Sequence, residues 1–354
     1  YEQGLPVVKA LKSAYPNYQI LVTFFSPSGY EVKKATKEVD LVTYLPLDTQ
    51  SNCRRFLDLV QPEIAIFIKY EIWPNYLREL KRRNIPAVLI SAIFTKKQIY
   101  FKPYGGFMLK ALKQFQHFFV QDQKSGRLLE GIGVENYTVS GDTRFDRVTE
   151  ILKQKEPLPE VANFVQDRPC VIAGSTWPED EKILVPYINN TEKTIKFILV
   201  PHDIKMEHIQ SLTKSIQKPV TIYSELQASG KTDFSVLIVD TIGLLTRIYQ
   251  FGQVAYVGGG FATGLHNTLE PAVYGIPVII GPKYEGFREA EELVALKGIY
   301  SVASAKAFNK TLDTLLDNEE LRNSTGNINS NYINQNIGAT RKILDYLQNT
   351  LSNS

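Results

Sequence analysis

The sequence is poor in the residues that build disulfide and metal frameworks. Its 354 residues include two cysteines and four histidines. Cys53 and Cys170 lie far apart, and the sequence contains neither HExxH nor a histidine cluster. These absences argue against a disulfide framework, favour a reducing compartment and give no support for a zinc site.

A strong charge of one sign and long apolar runs are also missing. The 40 basic and 37 acidic residues leave a net charge of +3, which is too small to indicate nucleic acid as a partner. No apolar run reaches the length of a membrane span. Neither GxGxxG after the first strand nor GxxxxGK[ST] occurs, so a dinucleotide oxidoreductase and a P-loop NTPase both lose support.

What is present is an alternation of apolar runs with helical patterns, in two series. The first series contains YQILVTFF, LVTYLPL, EIAIFIKY, PAVLISAI, HFFVQD and YTVSG. The second contains PCVIAG, IKFILVPH, VTIYSE, SVLIVD, VAYVGGG, PVIIGP and IYSV. Continuous apolar strands separated by helices indicate parallel sheets covered on both faces. The sequence therefore predicts an α/β fold of two Rossmann-like domains, with a site in an inter-domain cleft at the carboxyl ends of the strands.

The composition along the chain predicts four segments. We expect an N-terminal Rossmann-like domain over 1–149, a linker over 150–165, a second Rossmann-like domain over 166–335, and a C-terminal helix over 336–354 that packs back on the first domain. The linker contains the charged, proline-bearing stretch EILKQKEPLPEV. The asparagine-rich stretch NSTGNINSNYINQN predicts a surface loop or a weak helix end.

Glycines and polar residues gather at one strand-to-helix junction of the second series, VAYVGGGFATGLHNTLEPAVYGIPVIIGP over 254–282. Glycines 258–260 allow a sharp turn and a close approach of the backbone to a ligand. HNTLEPAVYG predicts a helix whose start suits an anion, with Glu270 placed to accept from the hydroxyl pair of a sugar. A glycine-rich turn before a capped helix has the same pattern.

Polar groups follow other strands of the second series. Gly174, Ser175 and Thr176 come after its first strand, and His202 and Lys205 come after its second. Serine and threonine at such places fit a helix N-cap as well as a ligand contact, and a single histidine at a strand end is often structural. Several such loops at one edge favour a site for a phosphate and a ribose.

In the first series, Glu71 follows an almost wholly apolar strand. Its carboxylate fits two roles, a favourable charge at the start of the next helix and a catalytic group. Further along, GDTRFDR carries Arg144 and Arg147, which are placed to bind an acidic substrate or to pair with Asp142 and Asp146.

The stretch TKKQIYFKPYGGFMLKALKQFQHFFV over 95–120 has five lysines, many aromatic residues and no aspartate or glutamate. Basic residues interleaved with aromatic ones suit an anionic lipid surface. A helix with a solvated lysine face and an aromatic core face fits the pattern equally well.

Five quoted segments, in this order, identify a family. FFSPSGYE, YEIWPN, SGDTRFDR, AGSTWPEDE and YVGGGFATGLHNTLEPA resemble the 3-deoxy-D-manno-octulosonic acid (Kdo) transferases of Gram-negative bacteria. The resemblance covers nearly the whole chain. It implies a GT-B fold, CMP-Kdo as the donor and an acylated, phosphorylated glucosamine disaccharide, the lipid A precursor, as the acceptor. It also implies inverting transfer with no metal and no cofactor, at the cytoplasmic face of the bacterial inner membrane.

The resemblance also implies site residues. Glu71 matches the second glutamate of the family's E-x-E-x-W-P motif and is expected to be catalytic, whereas Lys69 stands in place of the first. The family's arginine–histidine pair is matched by His202 alone. The donor-binding residues expected are Gly174, Ser175, Thr176, His202, Lys205, Gly258, Gly259, His266, Asn267 and Glu270. The acceptor-binding residues expected are Ser26, Ser28, Gly29 and Arg144.

Two expected features lie before Tyr1. The chain opens without methionine and within a helical pattern, so we expect the native start to lie upstream. In the family a Gly-Glu pair precedes the aromatic residue that Tyr1 matches, and that glutamate is the expected general base. A short N-terminal membrane anchor is expected there as well.

Rival functions remain open on the sequence. Another GT-B enzyme, either a UDP-sugar transferase or a UDP-GlcNAc 2-epimerase, would fit the two-domain pattern. So would a sugar-binding protein of two α/β lobes. Stabilisation by CMP but not by UDP would separate the first class of rival from a Kdo transferase.

Overall fold

A computed structural model of the protein describes residues 1–152, 157–229, 233–262 and 264–352. The chain divides into two compact units. Unit 1 contains Tyr1–Arg147 and Asn336–Ser354, and unit 2 contains Val148–Gln335. The chain therefore leaves unit 1 once and returns to it at the end.

Every strand-like run of the first series forms a parallel strand of unit 1. The strands are β1 (Leu21–Phe24), β2 (Leu41–Tyr44), β3 (Ala65–Ile68), β4 (Ala87–Ala92), β5 (His117–Val120) and β6 (Tyr137–Val139). They make two sheets, the pair β1–β2 and the four-stranded sheet β3–β4–β5–β6. The strands are thus predicted correctly, but their division into two sheets is not visible in the apolar pattern.

Helices alternate with the strands of unit 1, beginning with α1 before β1, and a short 3₁₀ helix spans Ile99–Phe101. The α-helices are α1 (Leu5–Ala14), α2 (Pro27–Lys33), α3 (Gln50–Val60), α4 (Pro74–Arg82), α5 (Gly106–Leu112), α6 (Gln123–Glu130) and α7 (Thr143–Ile151). Alternate residues of β4 enter opposite cores: Leu89 packs with Leu77 and Leu112, while Ile90 packs with Val7. The four-stranded sheet is therefore covered on both faces, as a run of six buried residues predicts.

Unit 2 contains one seven-stranded parallel sheet in the order β13–β12–β11–β7–β8–β10–β9. Every run of the second series forms one of its strands. They are β7 (Cys170–Thr176), β8 (Lys196–Pro201), β9 (Val220–Ile222), β10 (Val236–Ile238), β11 (Val254–Val257), β12 (Val278–Ile280) and β13 (Ile299–Ser301). The α/β class with two Rossmann-like units of parallel strands is confirmed.

The helices of unit 2 cover this sheet, and a 3₁₀ helix spans Tyr249–Phe251. They are α8 (Pro159–Val165), α9 (Pro178–Asn190), α10 (Met206–Ser215), α11 (Tyr223–Ser229), α12 (Leu245–Ile248), α13 (Leu269–Ala272), α14 (Arg288–Ala295), α15 (Ala305–Asp317) and α16 (Glu319–Asn336). One face of the sheet packs against apolar residues of α9, α10 and α15, including Ile188, Leu212 and Leu312.

The asparagine-rich stretch corrects the sequence prediction, because it forms α16 instead of a loop. The side chain of Asn329 is fully buried, and its Nδ2 donates to the carbonyl oxygens of Ile276 and Gly298. Gly326 packs closely on Gly275, because a β-carbon at Gly326 would lie 1.9 Å from the carbonyl oxygen of Gly275. These partners are distant in sequence, so the composition of the stretch gave no sign of them.

The segment expected as a linker, 150–165, is only partly described, because residues 153–156 lie outside the described ranges. α7 continues to Ile151, and α8 occupies Pro159–Val165, with Val161 and Phe164 fully buried.

The last helix, α17 (Ala339–Ser352), belongs to unit 1. Ile343 and Leu347 pack with Val7 of α1 beneath the four-stranded sheet. The carboxylate of Asp146 accepts from the backbone N–H groups of Gly338 and Thr340, each at 2.6 Å, and so satisfies two donors at the start of α17.

Residues 353–354 of the predicted C-terminal segment lie outside the described ranges. Within those ranges, every helix is too short or too polar to cross a membrane.

Candidate functional site

Three loops of unit 2 lie side by side because their strands are neighbours. β11, β7 and β8 are consecutive in the sheet and parallel, so the segments that follow them meet at one edge. Ser175 adopts the left-handed region at φ 53°, and the register of β7 against β8 shifts there. This shift turns the chain out of the sheet just before α9.

Three aromatic side chains from these loops form one cluster. Trp177 stacks on His202 with ring centroids 4.5 Å apart, and His202 lies 4.7 Å from His266. The indole Nε1–H of Trp177 donates to Nε2 of His266 at 2.9 Å. His202 and His266 were predicted from separate motifs, and the fold brings them together.

The same geometry sets the charge state of His266. Because Nε2 accepts a hydrogen bond, the ring is neutral with its proton on Nδ1. Burial lowers the pKa of His266, and the nearby His202 lowers it further, while Asp180 acts in the opposite direction. His266 is therefore suited to accept or donate hydrogen bonds as a neutral ring near pH 7.

The buried carboxylate of Asp180 joins two of the three loops. It accepts from the backbone N–H of Trp177 at 2.9 Å and from the backbone N–H of Gly259 at 2.8 Å. It also accepts from the hydroxyl of Tyr256 at 2.6 Å. Asp180 was not among the predicted site residues, although its place in the first turn of α9 was visible in STWPEDE.

The glycine-rich turn is packed against other loops of unit 2. A β-carbon at Gly258 would lie 2.2 Å from the carbonyl oxygen of Ser175. One at Gly260 would lie 2.7 Å from the backbone nitrogen of Gly281, and Gly259 has φ +93°. Gly174 is equally confined, because its β-carbon would meet the hydroxyl of Tyr249. Because these glycines have no side chains, the strand-end loops can pack closely against each other.

The helix expected from His266 onward is much shorter than the sequence suggests. α13 contains only the four residues Leu269–Ala272, and His266 precedes it. A single turn has a weak dipole, so the predicted anion site at a helix start loses most of its electrostatic basis. Asn267 instead donates through Nδ2 to Oε1 of Glu270 at 3.0 Å and accepts from the backbone N–H of Leu269.

Two further predicted donor residues have partners within unit 2. The buried hydroxyl of Thr176 donates to Oε1 of Glu181 at 3.0 Å, and Nε2 of His208 lies 3.1 Å from the same oxygen. Lys205 is exposed and pairs with Asp203 at 2.8 Å. The aspartate raises the pKa of Lys205, so the ammonium group is retained at neutral pH.

In unit 1, the predicted catalytic carboxylate lies at an aromatic edge. Glu71 is exposed and accepts from the indole Nε1–H of Trp73 at 2.8 Å. The ring of Trp73 lies 4.8 Å from that of Phe25, which follows β1. These contacts join the end of β3 to the end of β1, although β1 and β3 belong to different sheets.

The predicted acceptor residues are only partly brought together. Ser26 and Ser28 lie next to Phe25 at the start of α2, and their hydroxyl oxygens are 2.8 Å apart. Gly29 packs on the ring of Phe24. The guanidinium of Arg144 instead pairs with Asp142 at 2.9 Å.

The basic and aromatic stretch over 95–120 contains both buried and exposed aromatic side chains. Tyr100 and three phenylalanines, including Phe118, are buried in unit 1. Tyr104 and Phe107 are 78% and 62% exposed, beside lysines that are mostly exposed. The buried rings fit the interpretation of an aromatic core face, and the interpretation as a lipid surface stays a prediction.

The described ranges contain no group of three or more histidine, cysteine or carboxylate side chains that could hold a metal ion.

Sequence reasoning did not commit to Trp177, Asp180 or Phe25 as site residues. Trp177 had the clearest signal, because it follows the hydroxyl-bearing turn directly.

Comparison with known proteins gives a consistent result. A family described as "3-Deoxy-D-manno-octulosonic-acid transferase (kdotransferase)" matches residues 1–147. The 3-deoxy-D-manno-octulosonic acid transferase of Haemophilus influenzae is 32% identical over 358 aligned residues, which cover 97% of this chain and 83% of that protein. The transferase of Rickettsia bellii is 28% identical and covers 98% of this chain and 83% of its own length.

Solved structures give the same fold at lower sequence similarity. The UDP-GlcNAc 2-epimerase from Neisseria meningitidis, bound to UDP-GlcNAc, matches with a TM-score of 0.68 at 16% identity. The match covers 100% of this chain and 96% of that one. This similarity concerns the fold alone, and it confirms the GT-B class.

Proposed function

Because the chain belongs to the family of 3-deoxy-D-manno-octulosonic acid transferases, we propose that it moves Kdo from CMP-Kdo to a lipid A precursor of the lipid IVA type. We further propose that the transfer inverts the anomeric centre and needs no metal. The observation that carries this proposal is the 32% identity to a Kdo transferase over 97% of the chain, which spans both units.

The donor is assigned to unit 2. The contact between His202, His266 and Trp177 supports this assignment, because it offers ring faces and polar ring atoms on neighbouring strand ends. Glu270, held by Asn267, is placed one turn further and is the proposed acceptor for the ribose hydroxyl groups.

The proposed reaction is a direct displacement. An acceptor hydroxyl oxygen bonds to the anomeric carbon of Kdo as the bond from that carbon to the phosphate oxygen of CMP breaks. The electron pair of the broken bond leaves with CMP, and Lys205 together with backbone N–H groups of the strand-end loops stabilises the phosphate. Attack on the face opposite to CMP inverts the centre.

A sugar hydroxyl is a weak nucleophile, so a carboxylate has to take its proton as the new bond forms. The family resemblance assigns this role to a glutamate before the Tyr1 position. Glu71 is proposed to share that task or to hold the acceptor. Its contact with Trp73, and through that ring with Phe25, supports a place beside the acceptor residues Ser26, Ser28 and Gly29.

A membrane surface is proposed as the place of the reaction. Exposed Tyr104 and Phe107 beside lysines suit the boundary of an anionic bilayer, with the rings at the head-group level and the ammonium groups near phosphates. We assign this surface to the cytoplasmic face of the inner membrane, where the acylated acceptor would be reached.

The direct test is a transfer assay with the full-length protein, CMP-Kdo and the tetra-acylated lipid A precursor. Mass spectrometry should show Kdo added to the acceptor, NMR should show inversion, and EDTA should leave the rate unchanged. Thermal unfolding should shift upward with CMP and not with UDP. Stabilisation by UDP alone, or turnover of UDP-GlcNAc, would instead support an epimerase or a UDP-sugar transferase.

A further inference from the structure

Two consecutive carboxylates in the first turn of α9 reach in opposite directions along the edge of the sheet in unit 2. Asp180 accepts from Gly259, in the turn that follows β11. Glu181 instead contacts His208, in the first turn of α10, which comes after β8. Because β7 lies between β11 and β8, the start of α9 is linked to the loops on both sides of β7.

The carboxylate of Glu181 is a buried acceptor that two donors share. Its Oε1 accepts from the hydroxyl of Thr176 at 3.0 Å and lies 3.1 Å from Nε2 of His208. The side chain of Glu181 is 9% exposed, and that of His208 is 21% exposed. An ionised carboxylate can only accept, so Nε2 of His208 carries a proton and donates to Glu181. Loss of either donor removes a partner from a buried charge, which is costly.

Thr176 joins this link to the aromatic cluster. Its carbonyl oxygen accepts from the backbone N–H of His202 at 2.9 Å, and Trp177 is the next residue in the chain. The rings of Trp177 and His202 stack with centroids 4.5 Å apart and an interplanar angle of 19°. Both stacked residues are therefore attached directly to Thr176, one by the peptide bond and one by a hydrogen bond.

His208 acts on the other end of the loop that carries His202. Residues 202–205 connect β8 to α10, and His202 is exposed. The bond from His208 to Glu181 holds the first turn of α10 against α9. Without this bond one end of the short connection would be released, and the exposed ring of His202 could leave the face of the indole at little cost.

We propose that Glu181 and His208 are positioning residues for donor binding, which hold His202 against Trp177 so that both rings are in place before the nucleotide arrives. The inference rests on the proposed function, in which unit 2 binds CMP-Kdo at these rings. Glu181 and His208 act through Thr176 and the loop 202–205, not by touching the donor. A site that is ordered in advance loses less conformational entropy on binding, so this contact raises the affinity for CMP.

The test uses the full-length protein and CMP as the probe. The forms compared are the wild type, His208→Leu, His208→Gln, Glu181→Leu, the double variant Glu181→Leu/His208→Leu and the matched control Gln210→Leu. Gln210 is an exposed residue of the same helix. Calorimetry measures CMP binding, and steady-state kinetics measure Kdo transfer. The chain has four histidines, so the ring protons of His202 can be assigned in NMR spectra by substitution.

His208→Leu should weaken CMP binding about five-fold, the equivalent of one hydrogen bond lost. The KM for CMP-Kdo should rise by the same factor, while kcat and the KM for the acceptor stay unchanged. The ring protons of His202, which the stacked indole shifts upfield, should move towards the shifts of a free histidine. His208→Gln keeps an N–H donor and should restore most of the affinity, and Gln210→Leu should behave as the wild type.

Unchanged CMP affinity or unchanged His202 shifts in His208→Leu would overturn the inference. An equal loss of affinity in Gln210→Leu would overturn it as well, because any disturbance of α10 would then have the same effect. The double variant should bind CMP no more weakly than either single variant, since both substitutions remove one contact. Additive losses would show that Glu181 and His208 act separately and would contradict the proposed link.

The binding measurement separates this inference from the proposed function. If the wild type binds CMP but makes no Kdo product, and His208→Leu binds CMP more weakly, the transfer proposal fails and the positioning role stands. If the wild type transfers Kdo and His208→Leu binds CMP equally well, the transfer proposal stands and the positioning role fails.

Discussion

The carboxylate of Asp180, on the first turn of α9, accepts the backbone N–H of Gly259 across 79 residues of sequence at 2.8 Å. The same buried carboxylate holds the N–H of Trp177 and the hydroxyl of Tyr256. One side chain thus fixes both the loop that carries Trp177 and the turn that leads to His266. The proposed donor site is built on this link.

Replacing Asp180 by asparagine should reduce the free energy of unfolding by roughly 3 kcal/mol, because an amide cannot accept from all three donors and leaves buried N–H or O–H groups unpaired. Urea unfolding followed by circular dichroism measures the change. Asp317→Asn is the control, since that exposed carboxylate pairs with Lys193 at the surface and should contribute less than about 1 kcal/mol. Equal stability of the two variants would show that the Asp180 contacts are weak.

The two tryptophans of the chain allow a matched pair of variants, because each indole N–H donates to one proposed site residue. Trp177→Phe should weaken CMP binding about three-fold to ten-fold through loss of the bond to His266, and should leave the acceptor KM unchanged. Trp73→Phe should raise the acceptor KM and leave CMP binding unchanged. Calorimetry with CMP and transfer kinetics measure the two effects. A loss of CMP affinity in both variants would contradict the assignment of the donor to unit 2.

Glu71→Gln should lower kcat by about a hundred-fold if the carboxylate takes part in proton transfer, with the KM for CMP-Kdo unchanged. The amide keeps a hydrogen-bond acceptor for Trp73, so the fold should be retained. The other role, a favourable charge before α4, predicts a lower stability and a normal kcat. Steady-state kinetics and thermal unfolding of the same variant therefore distinguish the two roles.

Gly258→Ala should destabilise the protein by roughly 2 kcal/mol, because the new methyl group would be forced against the backbone of Ser175, which has no flexible end to move aside. Gly106→Ala is the control, since a β-carbon there meets nothing within 4 Å. Chemical unfolding of both variants gives the comparison. A neutral Gly258→Ala would mean that the strand-end loops can separate at little cost.

Stability should depend on pH through His266. Its pKa is lowered in the folded protein, so the unfolded chain binds the proton more readily. The stability that His266 contributes is fully present above the ordinary pKa of histidine, about 6.5, and is lost as the pH falls below that value. The His266→Gln variant should therefore lose less stability than the wild type between pH 7.5 and 5.5. The pKa of His117 in unit 1 is also lowered by burial, so His117→Gln should likewise lose less stability than the wild type over this range.

The sequence predicted the strands well because parallel, doubly covered strands are continuous apolar runs that can be recognised locally. β4 is the clearest case, with six buried residues in succession. The relationships that fix the site are not local. The bond from Gly259 to Asp180 and the burial of Asn329 depend on partners far along the chain, which explains the missed site residue and the missed helix α16.

The proposed helix at His266 failed for a different reason. HNTLEPAVYG has a helical pattern, but its first three residues are not helical, and Asn267 there donates to Glu270 and accepts from the backbone N–H of Leu269. The residues after Ala272 form a turn that ends at Gly275, which has φ +67°. Composition alone predicts the helix and not its length. His266, Asn267 and Glu270 have specific hydrogen-bond partners in the structure, and their assignment to the donor site stays a prediction.

The helix α17, which Asp146 caps, affects the order in which the two units fold during synthesis. Unit 1 needs its C-terminal helix to cover Val88, Ile90 and Phe119 on one face of its main sheet. During synthesis that face is covered only by α1 until residues 339–352 have left the ribosome, whereas all the strands of unit 2 have emerged earlier. Ribosome-stalled chains that stop before Ala339 should therefore carry a folded unit 2 and an incomplete unit 1. The incomplete unit 1 should bind chaperones.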